Sequence, residues 1–168
     1  MLIRGAIKRG CIGEWESMLK KKYEVDGTWY HGGALSSIQQ IAANKIDTKL
    51  GGGELGQGFY IGNYGHEASA WARHVAKDQK PSVVELKVSS FGASGLTKRE
   101  LSWLLAKECS IKIAKADRRR THVFGVDVVA APIVGKNFKD TPTQLKWEGA
   151  KSASFLNSLQ VSKRITKL

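Results

Sequence analysis

Apolar and polar positions change period several times along the chain, and each change marks an element. Val25 to His31 is rich in aromatics and reads as a strand, followed by two glycines. From Ala34 to Lys45 the spacing turns helical, with Leu35, Ile38, Ile41 and Ala42 on one side. Thr48 to Gly58 is a loop punctuated by Gly51, Gly52, Gly53, Gly56 and Gly58, and Phe59 to Ile61 is an aromatic strand. Asn63 or Tyr64 opens a helix to about Asp78, which Pro81 keeps from running further. Ser82 to Ser89 alternates, Val84, Leu86 and Val88 opposing Val83, Glu85 and Lys87, as in a half-buried strand.

The second half continues in the same way. Thr97-Lys98-Arg99-Glu100 has the form of a capping box, which predicts a following helix that buries Leu101, Leu104, Leu105 and Ile111. Ala116 to Arg120 is a polar loop, and Val123 to Val134 a central strand ended by Pro132. Asn137 to Pro142 reads as a loop, Thr143 to Trp147 as a short strand, Ala150 to Asn157 as a short helix and Leu159 to Ile165 as a last strand. Residues 1–24 form an accessory segment with a short helix candidate, Glu14 to Leu19, and three lysines after it; residues 25–168 form one domain. The order is mixed α+β, not a regular βαβ alternation.

Composition narrows the class. An apolar share of 42% over 168 residues supports a packed core and argues against overall disorder. No apolar run approaches the roughly 20 residues of a membrane helix, and the first residues lack the apolar stretch of a signal peptide. The expectation is therefore no membrane partner and action in a cytoplasm, its own or a target cell's. Cys11 and Cys109 do not make a disulfide framework. The formal charge is +12, and it is uneven: residues 97–168 hold 15 basic and 6 acidic groups, residues 1–96 hold 12 and 9. Such an excess draws polyanions, or simply keeps a surface solvated. Arg118-Arg119-Arg120 is either a solvated loop or a phosphate contact.

Other signals are weaker. Gly51, Gly53 and Gly56 spell G-x-G-x-x-G, but the loop precedes a strand where the dinucleotide fingerprint must open a helix. These glycines are either a flexible turn or a point of close approach to a bound nucleotide. His66 and His74, eight apart, share a helix face without a third metal ligand, so no metal is expected. Cys109 has no paired histidine to activate it. His31, Tyr60 and Trp71, taken singly, are ordinary core residues.

Taken jointly and in order, they are more specific. Tyr30-His31-Gly32 followed by Ile38 and Ile41, then Gly56-Gln57-Gly58-Phe59-Tyr60 followed by Ala68, Ser69 and Trp71, resembles the ADP-ribosyltransferase superfamily. The likeness is to its poly(ADP-ribose) polymerase-like branch and the related bacterial toxins, and it covers about the first half of the chain. It implies an ADP-ribosyltransferase-like split β-sandwich, two small packed sheets around an NAD cleft. It also implies NAD as substrate, His31 on a ribose hydroxyl, and Gly32 and Gly58 near the cofactor. Tyr60 and Trp71 would be walls for the nicotinamide, with Ser69 as a further bond to its carboxamide.

The family's third feature is a Glu at the start of a late strand, and here the match is less direct. Thr143 to Trp147 places Gln144 at that position, with Glu148 the alternative. Alternation puts Gln144, Lys146 and Glu148 on one face and Leu145 and Trp147 in the core. A glutamine bonds a ribose hydroxyl but neither stabilises a cationic centre by charge nor acts as a base. The expectation is a single transfer rather than chain elongation, to RNA or another polyanionic acceptor, by a toxin or effector that an acidic antitoxin or immunity protein would neutralise. The alternatives are a protein-targeting mono-ADP-ribosyltransferase and a basic nucleic-acid-binding module without catalysis.

Overall fold

Strand β1, Gly27–Ala34, joins two groups of strands, and its aromatic and glycine residues decide how. The computed structural model describes residues 23–135 and 142–166. Glu14 to Leu19, Cys11 and most of the loop from Asn137 to Pro142 lie outside the described residues. After β1 come helix α1 (Leu35–Ala42), the short strands β2 (Gly52–Gly53) and β3 (Gly56–Gln57), β4 (Phe59–Gly62) and helix α2 (Gly65–Val75). Then follow β5 (Pro81–Val88), a 3-10 turn (Phe91–Ala93), β6 (Lys98–Glu100) and helix α3 (Trp103–Lys115). The described chain ends with β7 (Val128–Pro132), β8 (Thr143–Trp147), helix α4 (Gly149–Leu156) and β9 (Val161–Thr166).

Seven strands form one mixed sheet in the order β6-β7-β8-β4-β1-β5-β9, and β2 and β3 pair as a separate hairpin. β6 runs parallel to β7 and every other neighbour is antiparallel. β1 shares eight register pairs with β5 but a single one, Tyr30↔Gly62, with β4. The two expected small sheets are therefore hydrogen-bonded into one, across a seam one pair long. Both halves feed one core. Trp29, Val84, Leu86 and Val88 from one side meet Phe59, Ile61, Val128, Leu145 and Trp147 from the other, with Ile38 and Ile41 of α1 and Leu156 of α4. A fully buried aliphatic side chain contributes roughly 1.5–3 kcal/mol, so this cluster fixes the angle between the halves.

The elements depart from the sequence pattern where distant residues intervene. α1 stops at Ala42, because Asn44 takes a left-handed φ of 58° and the amides of Asn44 and Lys45 turn back to the carbonyls of Ile41 and Gln40. Thr97 caps no helix. Its hydroxyl donates to Asp127, whose amide it accepts in turn, and Lys98–Glu100 pair with β7. Ser102 is the cap instead, accepting from the Leu105 amide. The helix therefore starts later and turns differently. Leu101 is buried, as expected, with Ala106 and Ile113, but Leu104 is 70% exposed and Leu105 and Ile111 also face solvent. Residues 123–127 are loop, not strand, and Leu159 is exposed ahead of β9. The domain core begins before Val25: Tyr23 is buried, its hydroxyl on the Leu101 carbonyl and its own carbonyl accepting from Lys98. Among the described residues no helix is long and apolar enough to cross a membrane.

Candidate functional site

At the seam the register between β1 and β4 stops after one pair. The Leu35 amide bonds the Lys80 carbonyl, at the end of the β1–β5 ladder. Hydrogen-bonding direction alternates along an antiparallel strand, so odd-numbered residues of β1 bond β5 and even-numbered ones turn toward β4. Tyr30 is matched there by Gly62. The next even residue, Gly32, would stand opposite Tyr60 if the ladder continued, but the strands have parted. Its amide and carbonyl thus face the fork between β1 and β4. On its other face Gly32 lies under α2. A Cβ at this position would sit 1.9 Å from the Ala68 carbonyl oxygen, so only glycine fits.

His31 spans the fork. Its Nδ1 lies 2.6 Å from the Tyr60 carbonyl oxygen, and its ring stacks on Phe59 at 4.7 Å. Burial lowers its pKa, against an opposing pull from that carbonyl. The neutral ring then donates from Nδ1 and leaves Nε2 as an acceptor.

Tyr60 is half-buried on the opposite lip. Its hydroxyl donates to the Gly56 carbonyl at 2.6 Å, and its ring lies against Gly53, where a Cβ would come within 2.9 Å of it. Burial raises the phenol pKa, and the charges of Glu54 and Glu148 push the same way. It therefore serves as a ring and a donor, not as a base.

The glycines of residues 51–58 are not a loose turn: Gly52–Gly53 and Gly56–Gln57 pair as a hairpin. Added Cβ atoms would meet the protein itself: Gly58 carbonyl oxygen at Gly51, Arg119 carbonyl oxygen at Gly52, His122 at Gly56, and Lys146 and Trp147 at Gly58. Gly58 is thus packed closely against β8 on the side where a Cβ would stand. The hairpin is clamped between β8 and the loop after α3.

β8 presents Gln144, Lys146 and Glu148 on one face, with Leu145 and Trp147 in the main core. The three polar residues are buried and differently employed. Glu148 accepts from the amides of Phe124 and Gly125 and pairs with the Lys146 ammonium, which also reaches the His122 carbonyl and lies 4.8 Å from the centre of the Phe124 ring. Burial lowers the Lys146 pKa, and Glu148 pulls it back up. Glu148 is thus a tether for residues 124–125. Gln144 instead pairs across to Gly62, beside the seam, and its Nε2 donates to Glu54 and to the Pro132 carbonyl.

Glu54 was not among the residues expected at this site. It sits on the turn between β2 and β3, and its Oε1 accepts from Gln144 and from the Val134 amide at 3.0 Å. Burial raises its pKa, and those two bonds partly offset the shift. Its only mark in the sequence is a lone carboxylate within a glycine-rich stretch.

The remaining expected residues fall around this fork. Ser69 lies on α2, one residue past Ala68, and its hydroxyl is turned back to the Gly65 carbonyl. Trp71 is 56% exposed on the same helix, tilted against His74 at 5.5 Å, so its ring is not a core residue. Arg118, Arg119 and Arg120 are exposed, and the Arg119 main chain abuts Gly52, two residues from Glu54. His66 stacks on Tyr64 and leans on Glu67, and no group of three or more metal-ligating side chains occurs among the described residues. Cys109 is free and half-buried beside Val129 and Ala131. No protein-family model matches the chain, and no curated protein matches it.

Proposed function

We propose that this protein is an NAD-dependent ADP-ribosyltransferase of toxin or effector type that transfers a single ADP-ribose to RNA. One observation carries the reading: the β1–β4 register stops at Tyr30↔Gly62, so that by strand alternation Gly32 turns its main-chain donor and acceptor toward the fork between His31 and Tyr60. A primary carboxamide offers the complementary pair, an oxygen for the amide and an NH2 for the carbonyl. Tyr60 then lies under the nicotinamide ring, exposed Trp71 is the candidate for the facing wall, and the His31 Nε2 accepts from a ribose hydroxyl.

The chemistry is one substitution. The bond from the ribose C1′ to the nicotinamide nitrogen breaks, its electron pair leaves with neutral nicotinamide, and C1′ becomes oxocarbenium-like. A hydroxyl or terminal phosphate oxygen of the acceptor bonds C1′ from the opposite side, and a hydroxyl's proton passes to water. The protein contributes position and electrostatics. Three exposed arginines beside the hairpin, in the more basic half of the chain, favour a phosphate backbone as the approaching group. The toxin-type role rests on the resemblance of the His-Gly and Gly-x-Gly-Phe-Tyr motifs.

The test is incubation of the chain with NAD labelled in the adenylate portion and a cell extract, then separation of RNA from protein. Label in RNA is the expected outcome. Label in the protein fraction alone moves the acceptor to protein, and NAD left intact with no label transferred refutes the activity.

A further inference from the structure

A glutamine at the position of a catalytic carboxylate leaves a charge missing, and the hairpin supplies one. We propose that Glu54 is a positioning residue that turns Gln144 into a carboxylate-like acceptor for the substrate ribose. This rests on the NAD-dependent reading above.

Donors and acceptors around Gln144 decide its orientation. A glutamine amide has two N–H donors on Nε2 and one acceptor oxygen. Both groups beside Nε2 are acceptors: the Glu54 carboxylate and the Pro132 carbonyl. Two acceptors fix which way the amide faces, because the reversed amide would set oxygen against oxygen. With its donors engaged, Gln144 has only its oxygen to offer a ribose hydroxyl, which is the role a glutamate would fill. The neighbouring anion also polarises the amide and makes that oxygen more negative. Glu54 is held for this task. The Val134 amide bonds the same oxygen, Oε1, and the hairpin beneath is locked by Tyr60 on Gly56 and by the close packing of its glycines.

The charged and titratable groups on the surrounding elements are Tyr60 on β4, Lys146 on β8 with Glu148 directly after it, and Asp117, Arg118, Arg119, Arg120 and His122 on the loop after α3. Tyr60, raised by burial, stays neutral through the acid range, and Lys146 is held as an ion pair by Glu148. His122 is lowered by burial and by Lys146 and Arg118, whereas burial raises Glu54, so the two titrations approach one another. Removal of Glu54 itself must therefore identify the limb.

The experiment compares wild type, Glu54→Gln, Gln144→Glu and the double variant Glu54→Gln/Gln144→Glu for NAD turnover against pH, with NAD affinity by calorimetry and Tm in the same preparations. Glu54→Gln is expected to lower kcat roughly ten- to a hundredfold, as removal of a supporting partner usually does, with affinity and Tm retained. It also removes the acidic limb of the profile. Gln144→Glu alone sets two carboxylates side by side that share a proton, and it too falls. The double variant restores an amide donating to a carboxylate but leaves the Pro132 carbonyl without a donor, so it recovers turnover only in part. In wild type, the Gln144 side-chain amide resonance shifts as Glu54 ionises, with or without NAD. Glu54→Gln with wild-type kcat and an unchanged acidic limb overturns the inference while NAD turnover stands. A wild-type chain that neither binds nor consumes NAD refutes the proposed function, and this catalytic role with it.

Discussion

The His31 ring and the Tyr60 carbonyl meet 2.6 Å apart across the fork between β1 and β4. A side chain thus makes the hydrogen bond that the backbone of β1 would have made, and the two lips of the fork are held at a set separation. A ligand ring entering between them meets a pre-formed width.

Tyr60 separates binding from stability. Tyr60→Phe keeps the ring but loses the bond to Gly56, costing about 1 kcal/mol of folding free energy with NAD affinity retained. Tyr60→Ala removes the ring, and NAD affinity or turnover is expected to fall at least about tenfold, or ~1.4 kcal/mol. Urea denaturation and calorimetry on the folded variants check both. Unchanged turnover in Tyr60→Ala would remove Tyr60 from the site.

Gln144 and Glu148 respond in opposite ways. Glu148→Ala strands a buried Lys146 charge and frees residues 124–125, an expected loss of about 3–5 kcal/mol in stability. Lys146→Met combined with Glu148→Gln recovers part of it. Gln144→Ala, away from that pair, costs NAD turnover more than Tm. A Glu148→Ala variant with native Tm and no turnover would reverse the assignment.

The pH dependence follows from His31. Its folded pKa lies below the ordinary 6.5, so on acidification the unfolded chain takes the proton first. Stability present above the unfolded pKa is lost as pH falls from there through the folded value. His122 contributes a parallel loss, so the readout is the difference between wild type and His31→Asn, whose amide can still donate to Tyr60. That difference in urea midpoint should shrink as pH falls from about 7.5, above the ordinary histidine range, to the acid side of it. NAD binding weakens over the same range as Nε2 is protonated. A constant difference in midpoint would mean that His31 is not buried as described.

The element pattern was legible where neighbours in sequence decide it. Thr143 to Trp147 emerged as a strand with Leu145 and Trp147 in the main core because period two needs no distant partner, although its other face is buried as well. The capping box at Thr97 misled because Asp127, thirty residues away, holds its hydroxyl. Glu54 was illegible for a related reason. It lies in a glycine stretch with no periodicity, and only the fold brings it to Gln144, ninety residues on. The approach of the arginine loop to Gly52 is equally non-local.

The arginines give a salt signature. If RNA tracks over the loop, replacing Arg118, Arg119 and Arg120 with Ala should weaken binding across sequences. The slope of log affinity against log salt should fall by about 0.7 for each single-strand phosphate no longer neutralised. Filter binding or anisotropy from low to physiological salt measures it. An unaltered slope would place the RNA elsewhere.

One pair between β1 and β4, beside eight between β1 and β5, has a consequence for cooperativity. β1, β5 and β9 should hold their amide protons as one exchange unit, whereas the amides at Tyr30 and Gly62 exchange through a smaller opening that leaves both flanking ladders intact. A bound dinucleotide that spans the gap would then raise protection at those two positions, and at Gly32 whose amide it would engage, more than anywhere else in the sheet. Exchange mass spectrometry with and without NAD would read the occupancy of the fork directly, independent of any acceptor.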